Sequence, residues 1–317
     1  MLLSSVAERV YWMARYIERA ENTARIILVH NNLMLDMPHH IPIGWEPLVY
    51  IMGSMDTFVK RYDEPSERDV IRFLVADRHN PNCITCSLAM ARENLRTTRA
   101  IVPRAAWETL NDLYEFSREH AASGINRRGR YAYMKRVVDY CQLLTGKLSG
   151  TMSHDLTYDF LRMGRNMERA DMTSRVIDVR ATNLLPLQAD ELKPFDDIQW
   201  KSVLDSLMAY QMYRRHVHVR VRGRQALRFL LQEPDFPRSV HYCLAEVEQC
   251  LRRLPGNEAA LRVLGREQRL VKEVAIGEIL KEGLNDFIDE LQQVHTELHE
   301  QLSATYFNVQ EEGAQAS

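Results

Sequence analysis

The segment MARYIERAENTAR at residues 13–25 and the segment MGRNMERADMTSR at residues 163–175 decide the fold of this chain. They share Met, Arg, Glu, Arg, Ala, Thr and Arg at matching positions, and Glu21 aligns with Asp171. Both segments have apolar residues at steps of three and four, which is typical of an amphipathic helix. The chain therefore contains the same helical motif twice, and we call its central Glu-Arg pair the ER motif.

A second internal match supports a repeat of the whole unit. Phe73 and Leu74, followed by Pro81, align with a later Phe-Leu pair at 229–230 that is followed by Pro237. Two matches in the same order indicate duplication of one unit. We therefore predict an all-α helical bundle built from two similar halves, 1–150 and 151–310, around a pseudo-twofold axis. The halves are expected to pack as one domain, with a flexible tail at 311–317.

Helical periodicity continues along most of the chain. Only 13 glycines and 11 prolines occur in 317 residues, so long helices have few interruptions. The pattern predicts amphipathic stretches that include 46–62, 197–231 and 258–307. Residues 216–222 alternate with the period of a strand, but an apolar helical stripe runs through them from Trp200 to Val221. We predict a helix there, since an isolated strand would have no partner.

Composition narrows the class of protein. Apolar residues make up 45% of the chain and the formal net charge is −2, which fits a soluble globular protein. This balance gives no bulk attraction to nucleic acid or to an anionic membrane. No apolar run of about 18 residues is present, so we expect no membrane association. The N-terminus lacks the pattern of a secretory signal, and the five cysteines are an odd number, so we predict a cytoplasmic location.

The repeated motif places charged side chains on one face of each helix. At 100° per residue, the Arg and Glu positions of each copy form a stripe beside the apolar face. The stripe contains Arg15, Glu18 and Arg25 in the first copy and Arg165, Glu168 and Arg175 in the second, with Arg19 and Arg169 further round. Three interpretations are open: surface ion pairs, a buried network that docks the halves, or a site where arginines and a carboxylate meet a substrate.

A second cluster lies in the segment ARENLRTTR at residues 91–99. One helix face carries Arg92, Arg96 and Arg99. These like charges repel each other unless nearby anions neutralise them. Only Arg96 is retained at the equivalent positions of the second half. The cluster is therefore asymmetric, and it is a candidate either for anion or substrate binding or for an internal salt-bridge network.

Other motifs favour structural interpretations. Residues 79–82, His-Asn-Pro-Asn, and their counterparts at 235–239 are typical of helix initiation, although such a helix start also suits an anion. The five arginines within 214–224 lack aromatic interleaving, so a solvated or partner-facing patch is favoured over a nucleic-acid surface. Cys83 and Cys86 have no second ligand pair nearby, and His295 and His299 are interpreted as a solvated helix face. We predict no metal and no cofactor on this chain.

Four segments resemble the alpha-E family of bacterial proteins, which is named for its helical content and its Glu-Arg motif. They are VAERVYWMARYIERAENTARIIL (6–28), NPNCITCSLAMARENLRTTR (80–99), FLRMGRNMERADMTSRVIDV (160–179) and FLLQEPDFPRSVHYCL (229–244). The resemblance runs from about residue 1 to about residue 307. One departure is Cys83, where the family pattern leads us to expect Ser or another small residue.

The resemblance implies a setting in amide chemistry. Such proteins are often encoded beside circularly permuted ATP-grasp proteins and transglutaminase-like proteins, so ATP and Mg²⁺ are expected on the partner. The implied function is to bind an activated carboxylate, or to transfer it to an amine, within a system that forms amide or peptide bonds. The alternative is a non-catalytic helical scaffold that docks these partners.

The motif positions that the resemblance carries over are the candidate site. Glu18 and Glu168 are the candidate catalytic residues, able to accept a proton from an attacking amine. The expected ligand is a small molecule or peptide that bears a carboxylate or phosphate. The candidate residues for binding it are Arg15, Arg19, Arg25, Arg92, Glu93, Asn94, Arg96, Arg99, Arg165, Arg169 and Arg175.

Overall fold

A computed structural model describes residues 3–37, 43–181, 196–217 and 220–307. Within these ranges the chain forms sixteen helices and no strands, so the predicted all-α class is confirmed. The first eight helices are α1 (Ser4–Asp36), α2 (Glu46–Ile51), α3 (Met55–Phe58), α4 (Glu67–Ala76), α5 (Ile84–Thr98), α6 (Arg104–Glu119), α7 (Ala121–Ile125) and α8 (Arg127–Thr151). The next eight are α9 (Leu156–Ala181), α10 (Asp196–Ser206), α11 (Tyr210–His216), α12 (Gly223–Gln232), α13 (Val240–Leu251), α14 (Glu258–Glu273), α15 (Ile276–Ile279) and α16 (Leu284–Tyr306).

The later helices follow the same order as the earlier ones. In the described parts of the two halves, α4 to α8 find counterparts in α12 to α16, and the long helix α1 corresponds to α9. Helices α1, α5, α6 and α8 pack together, and so do α9, α13, α14 and α16. Two copies of one unit would give this arrangement, while the duplication itself stays a prediction.

The two four-helix groups join along α1 and α9. One continuous cluster of buried apolar residues extends from Ala7 to Phe307 and includes members of both groups. Tyr11 lies against Gly164, while Arg15 reaches Glu168 further along both helices. The contacts advance along α1 and α9 together, so these two helices run in the same direction. They form the centre of the molecule.

Helices α1 and α9 approach each other closely at Gly164. A Cβ atom added there would lie 2.2 Å from the backbone oxygen of Tyr11, far inside van der Waals contact. Because that oxygen belongs to the helix backbone, it cannot rotate away. Glycine at this position therefore sets the distance between the two halves, and with it the reach of the charged side chains one turn further on.

Side chains cap several helix starts. Ser66 Oγ accepts a hydrogen bond from Asp69 N at 3.2 Å, which is the chemistry of a capping box. Cys83 Sγ accepts from Cys86 N at 3.2 Å, and at the equivalent place Ser239 Oγ accepts from the backbone of α13 at 3.0 Å. Cys83 thus holds the N-cap position that a serine holds in the second half.

Several predicted helix boundaries are wrong. The stretch 197–231 is divided into α10, α11 and α12 rather than forming one helix. The first break separates α10 from α11, where Met208 has a positive φ of 54°. The second break follows α11, where Val217 is extended, with φ −115° and ψ 96°. Tyr213 OH accepts from Arg222 N at 3.5 Å across the second break, so a tertiary contact replaces helical pairing. His218 and Val219 lie outside the described residues.

The other two long stretches divide at glycines. Residues 46–62 are interrupted at Gly53, with φ 60°, and residues 258–307 are interrupted at Gly283, with φ 89°. This left-handed backbone is accessible to glycine at little steric cost. In the described part of the chain, no helix is both long enough and apolar enough to cross a membrane. The predicted tail at 311–317 lies outside the described residues.

Candidate functional site

The two ER motifs contact each other reciprocally where α1 and α9 meet. Glu18 Oε2 lies 3.1 Å from Arg169 Nε, and Glu168 Oε1 lies 2.6 Å from Arg19 Nε. Each acid is therefore paired with the arginine of the other copy. The predicted stripes lie on facing sides of the central helices, and the carboxylate side chains are only 1–2% exposed.

Each central glutamate has a further arginine partner. Arg15 Nε donates to Glu168 Oε2 at 2.8 Å, and Arg19 Nη2 donates to the same oxygen at 2.9 Å. Glu18 Oε1 accepts instead from Arg238 Nη1 at 2.6 Å, a residue that precedes α13. Both carboxylates are thus enclosed by charge-assisted hydrogen bonds.

A second layer of polar residues surrounds Glu18. Glu21 pairs with Arg25 on its own helix and accepts from Arg238 Nη2 at 3.0 Å. Asn22 Oδ1 accepts from Arg25 Nη1 and from Arg238 Nη1, each at 3.1 Å. On α9, Arg175 Nε donates to Asp171 Oδ1 at 2.9 Å. We call the following set the ER cluster: Arg15, Glu18, Arg19, Glu21, Asn22, Arg25, Arg165, Glu168, Arg169, Asp171, Arg175 and Arg238.

The arginines hold both central glutamates in their ionised form. Burial by itself would raise the pKa of Glu18, but Arg169 and Arg238 outweigh it and lower the pKa to about 2. Burial likewise opposes ionisation of Glu168, and Arg19 and Arg15 bring its pKa to about 2. A carboxylate with so low a pKa is a weak base near neutral pH.

Arg165 is the position where the two copies differ. Its counterpart Arg15 donates to Glu168, whereas the matching acceptor on Glu18 is taken by Arg238. In the first half, the position equivalent to Arg238 is Asn82, which accepts from Arg19 Nη1 at 2.8 Å. Among the described residues Arg165 has no hydrogen bond or ion pair, and its Nε is buried without a partner.

The surroundings of Arg165 are rich in positive charge. Burial and the nearby Arg169 lower its pKa, while Glu18, Tyr158 and Glu246 act in the opposite direction. Glu246 already pairs with Arg162 at 2.6 Å. Within the ER cluster, seven guanidinium groups are set against four carboxylates. Guanidinium groups therefore outnumber carboxylates among the residues of this cluster.

The candidate residues of α5 lie apart from the ER cluster. Arg92 Nε donates to Asn111 Oδ1 at 2.8 Å, and its guanidinium lies 5.0 Å from the Tyr114 ring centroid. Arg96 pairs with Glu93 within the same exposed helix face, and both side chains are more than half exposed. Arg99 is exposed, and the backbone oxygen of Asn94 accepts from two threonine hydroxyls. Asn82, which precedes α5, contacts the ER cluster by accepting a hydrogen bond from Arg19 Nη1.

The sequence interpretation missed Arg238 as a partner of the motif. The residue stands directly after Pro237, in a segment that was interpreted as a helix start. Its alignment with Asn82 was the available signal, because an arginine replaces a neutral side chain at equivalent positions. The contact with Glu18 joins residues 220 positions apart, which no local periodicity reports.

The interpretation of His295 and His299 as a solvated face is wrong. His295 is buried, with Nδ1 2.7 Å from Glu267 Oε1 and Nε2 2.9 Å from the backbone oxygen of Met167. His299 Nδ1 lies 3.0 Å from the hydroxyl of Tyr11. Both side chains turn inward because α16 packs its face against α9 and α1. They support the central helices.

Acid should weaken the fold through His299. Burial lowers its pKa to about 4 from the usual 6.5, and Arg15 acts in the same direction. The unfolded state therefore binds more protons between pH 6.5 and pH 4, and the free energy of unfolding should fall as the pH drops through this range. The replacement His299→Asn should flatten that part of the stability curve in urea unfolding measured from pH 7 to pH 4. An unchanged slope in the variant would contradict the assignment.

The remaining sequence candidates have separate surroundings. Arg214 and Arg215 are exposed at the end of α11, and Arg220 pairs with Asp197. In the described ranges, no group of three or more His, Cys, Asp or Glu side chains is placed to hold a metal ion. Neither set of residues joins the ER cluster.

Comparison with known proteins gives one family. The Alpha-E family model, described as a predicted alpha-helical domain with a conserved ER motif, matches residues 2–307. The match covers nearly the whole chain and includes both ER motifs. No curated protein and no solved structure matches the chain.

Proposed function

The chain belongs to the Alpha-E family, and from this membership and the geometry of the ER cluster we propose that it is the anion-binding component of an amide-forming system. The proposed partner is a circularly permuted ATP-grasp enzyme with its own ATP and Mg²⁺. It would convert a carboxylate and ATP into an acyl phosphate and ADP. Attack of an amine on the acyl carbon then forms the C–N bond and releases phosphate.

The unpaired guanidinium of Arg165 is the observation that carries the proposal. Arg165 is half-buried, and its Nε is the atom that is buried without an acceptor among the described residues. A carboxylate or phosphate would supply both the missing acceptor and a counter-charge. The planar guanidinium fork matches the oxygens of either group. The substrate carboxylate and the acyl phosphate both have this chemistry, so one site would serve the starting acid and the activated acid.

Glu18 and Glu168 act in this proposal as positioning residues. Their low pKa values make them poor proton acceptors. The ion pair of Glu18 with Arg169 and the hydrogen bonds of Glu168 with Arg15 and Arg19 hold these arginines in place. Proton removal from the amine is then a task for the partner. The ER motif supplies a rigid, positively charged frame around Arg165.

A second candidate function is the non-catalytic scaffold that docks ATP-grasp and transglutaminase-like partners. It is favoured by a different observation: the central carboxylates of the ER cluster already have guanidinium partners. Such a network fixes how the two halves dock without contacting a substrate. The two functions differ in whether Arg165 is needed for product.

Binding of simple anions tests the proposed site directly. We expect phosphate and acetyl phosphate to bind the purified chain in isothermal titration calorimetry, and Arg165→Gln to weaken binding at least tenfold. Arg238→Asn should have a similar effect, because it frees the Glu18 oxygen for Arg165. The matched control is Arg252→Gln, which removes the same charge from an exposed side chain directly after α13. Equal binding by Arg165→Gln and the control would contradict the site.

Reconstitution separates the two candidate functions. The chain is combined with its ATP-grasp partner, ATP and a panel of amines, and phosphate release and product are measured. Loss of product in Arg165→Gln, with the protein complex intact, would support anion binding. Full product from this variant in a reaction that still needs the chain would support the scaffold. Product formed without the chain would contradict both.

A further inference from the structure

A cavity of about 90 Å³ lies between the C-terminal parts of α1 and α9. It adjoins one edge of the ER cluster, where Arg25 Nη1 donates to the backbone oxygen of the lining residue Ser206 at 3.2 Å. Helices α2 and α10 complete its walls. Aliphatic side chains form most of the lining: Ile26, Leu33, Leu48, Ile51, Val176 and Val203. Among the described residues, no charged side chain lines it, so the cavity suits an uncharged ligand.

Two buried side chains place unpaired polar atoms in this apolar wall. In the described ranges, neither the nitrogen nor the oxygen of the buried Gln199 amide has a hydrogen-bond partner, and the residue is 3% exposed. His30, which is 6% exposed, has an unpaired Nε2 in the same lining. Such a buried polar group destabilises the fold when it is left unsatisfied. Three atoms of this kind around one space indicate a site that a ligand completes.

The hydrogen-bonding role of His30 follows from its surroundings. Its ring packs 4.7 Å from that of Trp45, and the backbone carbonyl of Gly44 accepts a hydrogen bond from the imidazole. Burial lowers the pKa of His30 to about 4, so the ring is neutral at pH 7. Since Nε2 is the unpaired nitrogen, Nδ1 carries the hydrogen and Nε2 presents a lone pair.

The size and the polar atoms together define the ligand. The cavity has roughly six to nine times the space that one water molecule needs. It offers one acceptor from His30, and one acceptor and two N–H groups from Gln199. Leu33 and Ser202 also line a neighbouring open cleft of about 480 Å³, which provides a route of entry.

We propose that this cavity binds a small uncharged aliphatic molecule whose head group both donates and accepts hydrogen bonds, of which a short-chain primary amide is the best match. Its N–H would donate to His30 Nε2 or to the Gln199 oxygen. Its carbonyl would accept from the Gln199 amide nitrogen. The branched hydrocarbon end would contact the aliphatic lining. This site is independent of the anion site at Arg165.

The probe for this site is isobutyramide, with isobutyrate as the charged analogue of nearly the same shape. We expect isobutyramide to raise the melting temperature and to shift the ¹⁵N signal of the Gln199 side-chain amide, while isobutyrate does neither. Gln199→Leu should weaken binding at least tenfold. The matched control is Gln292→Leu, because Gln292 also has a buried unpaired amide nitrogen but lies on α16 outside the cavity.

A filled cavity gives a second test that does not depend on the polar groups. Val203→Phe places a ring in the space and should abolish binding of isobutyramide while circular dichroism shows an intact helical fold. Retained binding in this variant would overturn the proposal. So would equal binding of isobutyrate, or no response of the wild-type chain because the cavity holds ordered water only.

Discussion

Replacement of Glu168 with glutamine should lower the free energy of unfolding by about 3–5 kcal/mol. The variant keeps the shape of the side chain but removes the charge between Arg15 and Arg19. Two largely buried guanidinium groups would then face each other without a counter-ion. Urea unfolding followed by circular dichroism measures the loss.

A matched control tests whether the loss of stability depends on the burial of the ion pair. Glu108 pairs with Arg104 at 2.7 Å on α6, but both side chains are more than half exposed, so Glu108→Gln should cost less than about 0.5 kcal/mol. Removing all three charges together, in R15M/R19M/E168M, should cost less than E168Q alone, since no charge is then left unpaired. A loss below about 1 kcal/mol for E168Q would show that the pairs do not hold the halves together.

Replacement of Gly164 with alanine should destabilise the fold by about 3 kcal/mol or more. The new methyl group would meet the backbone oxygen of Tyr11 at 2.2 Å, so α1 and α9 must separate. Separation would also lengthen the ion pairs that join the two ER motifs. We therefore expect loss of stability together with loss of anion binding at Arg165.

A second glycine serves as the control for this substitution. Gly146 lies within α8, and a Cβ atom there would have no neighbour within 4 Å. Gly146→Ala should raise the free energy of unfolding by about 0.5–1 kcal/mol, because alanine favours a helix more than glycine does. Equal stability changes for the two variants would contradict the close approach of α1 and α9.

The sequence predicts the elements of this fold better than their ends. Helical periodicity identifies the long helices because each buries one or more apolar faces along its whole length. It fails between Ser206 and Gly223, where an apolar stripe continues through two breaks. The contact between Tyr213 and Arg222 that bends the chain there has no periodic signature.

In the candidate site too, the spacing within one helix is predictable from the sequence, whereas contacts between residues far apart in the chain are not. Spacing of three and four residues places the arginines and glutamates of each ER motif on one face, and both faces are found in one cluster. Which arginine reaches which glutamate depends on the approach of separate helices. Arg238 enters from a loop, so only the comparison of equivalent positions could have pointed to it. The cavity at Gln199 is formed by four helices, of which α2 and α10 carry no ER motif, so the motif does not predict it.

The reciprocal pairing of Glu18 with Arg169, and of Glu168 with Arg19, has a consequence for how this molecule could have arisen. Each central glutamate pairs with an arginine of the opposite half, so neither half alone contains both partners of these ion pairs. The motif is also self-complementary: a lone unit could satisfy it by associating with an identical twin. A symmetric homodimer is therefore a workable ancestor of this chain, and fusion of its subunits would have left one of them free to acquire Arg238.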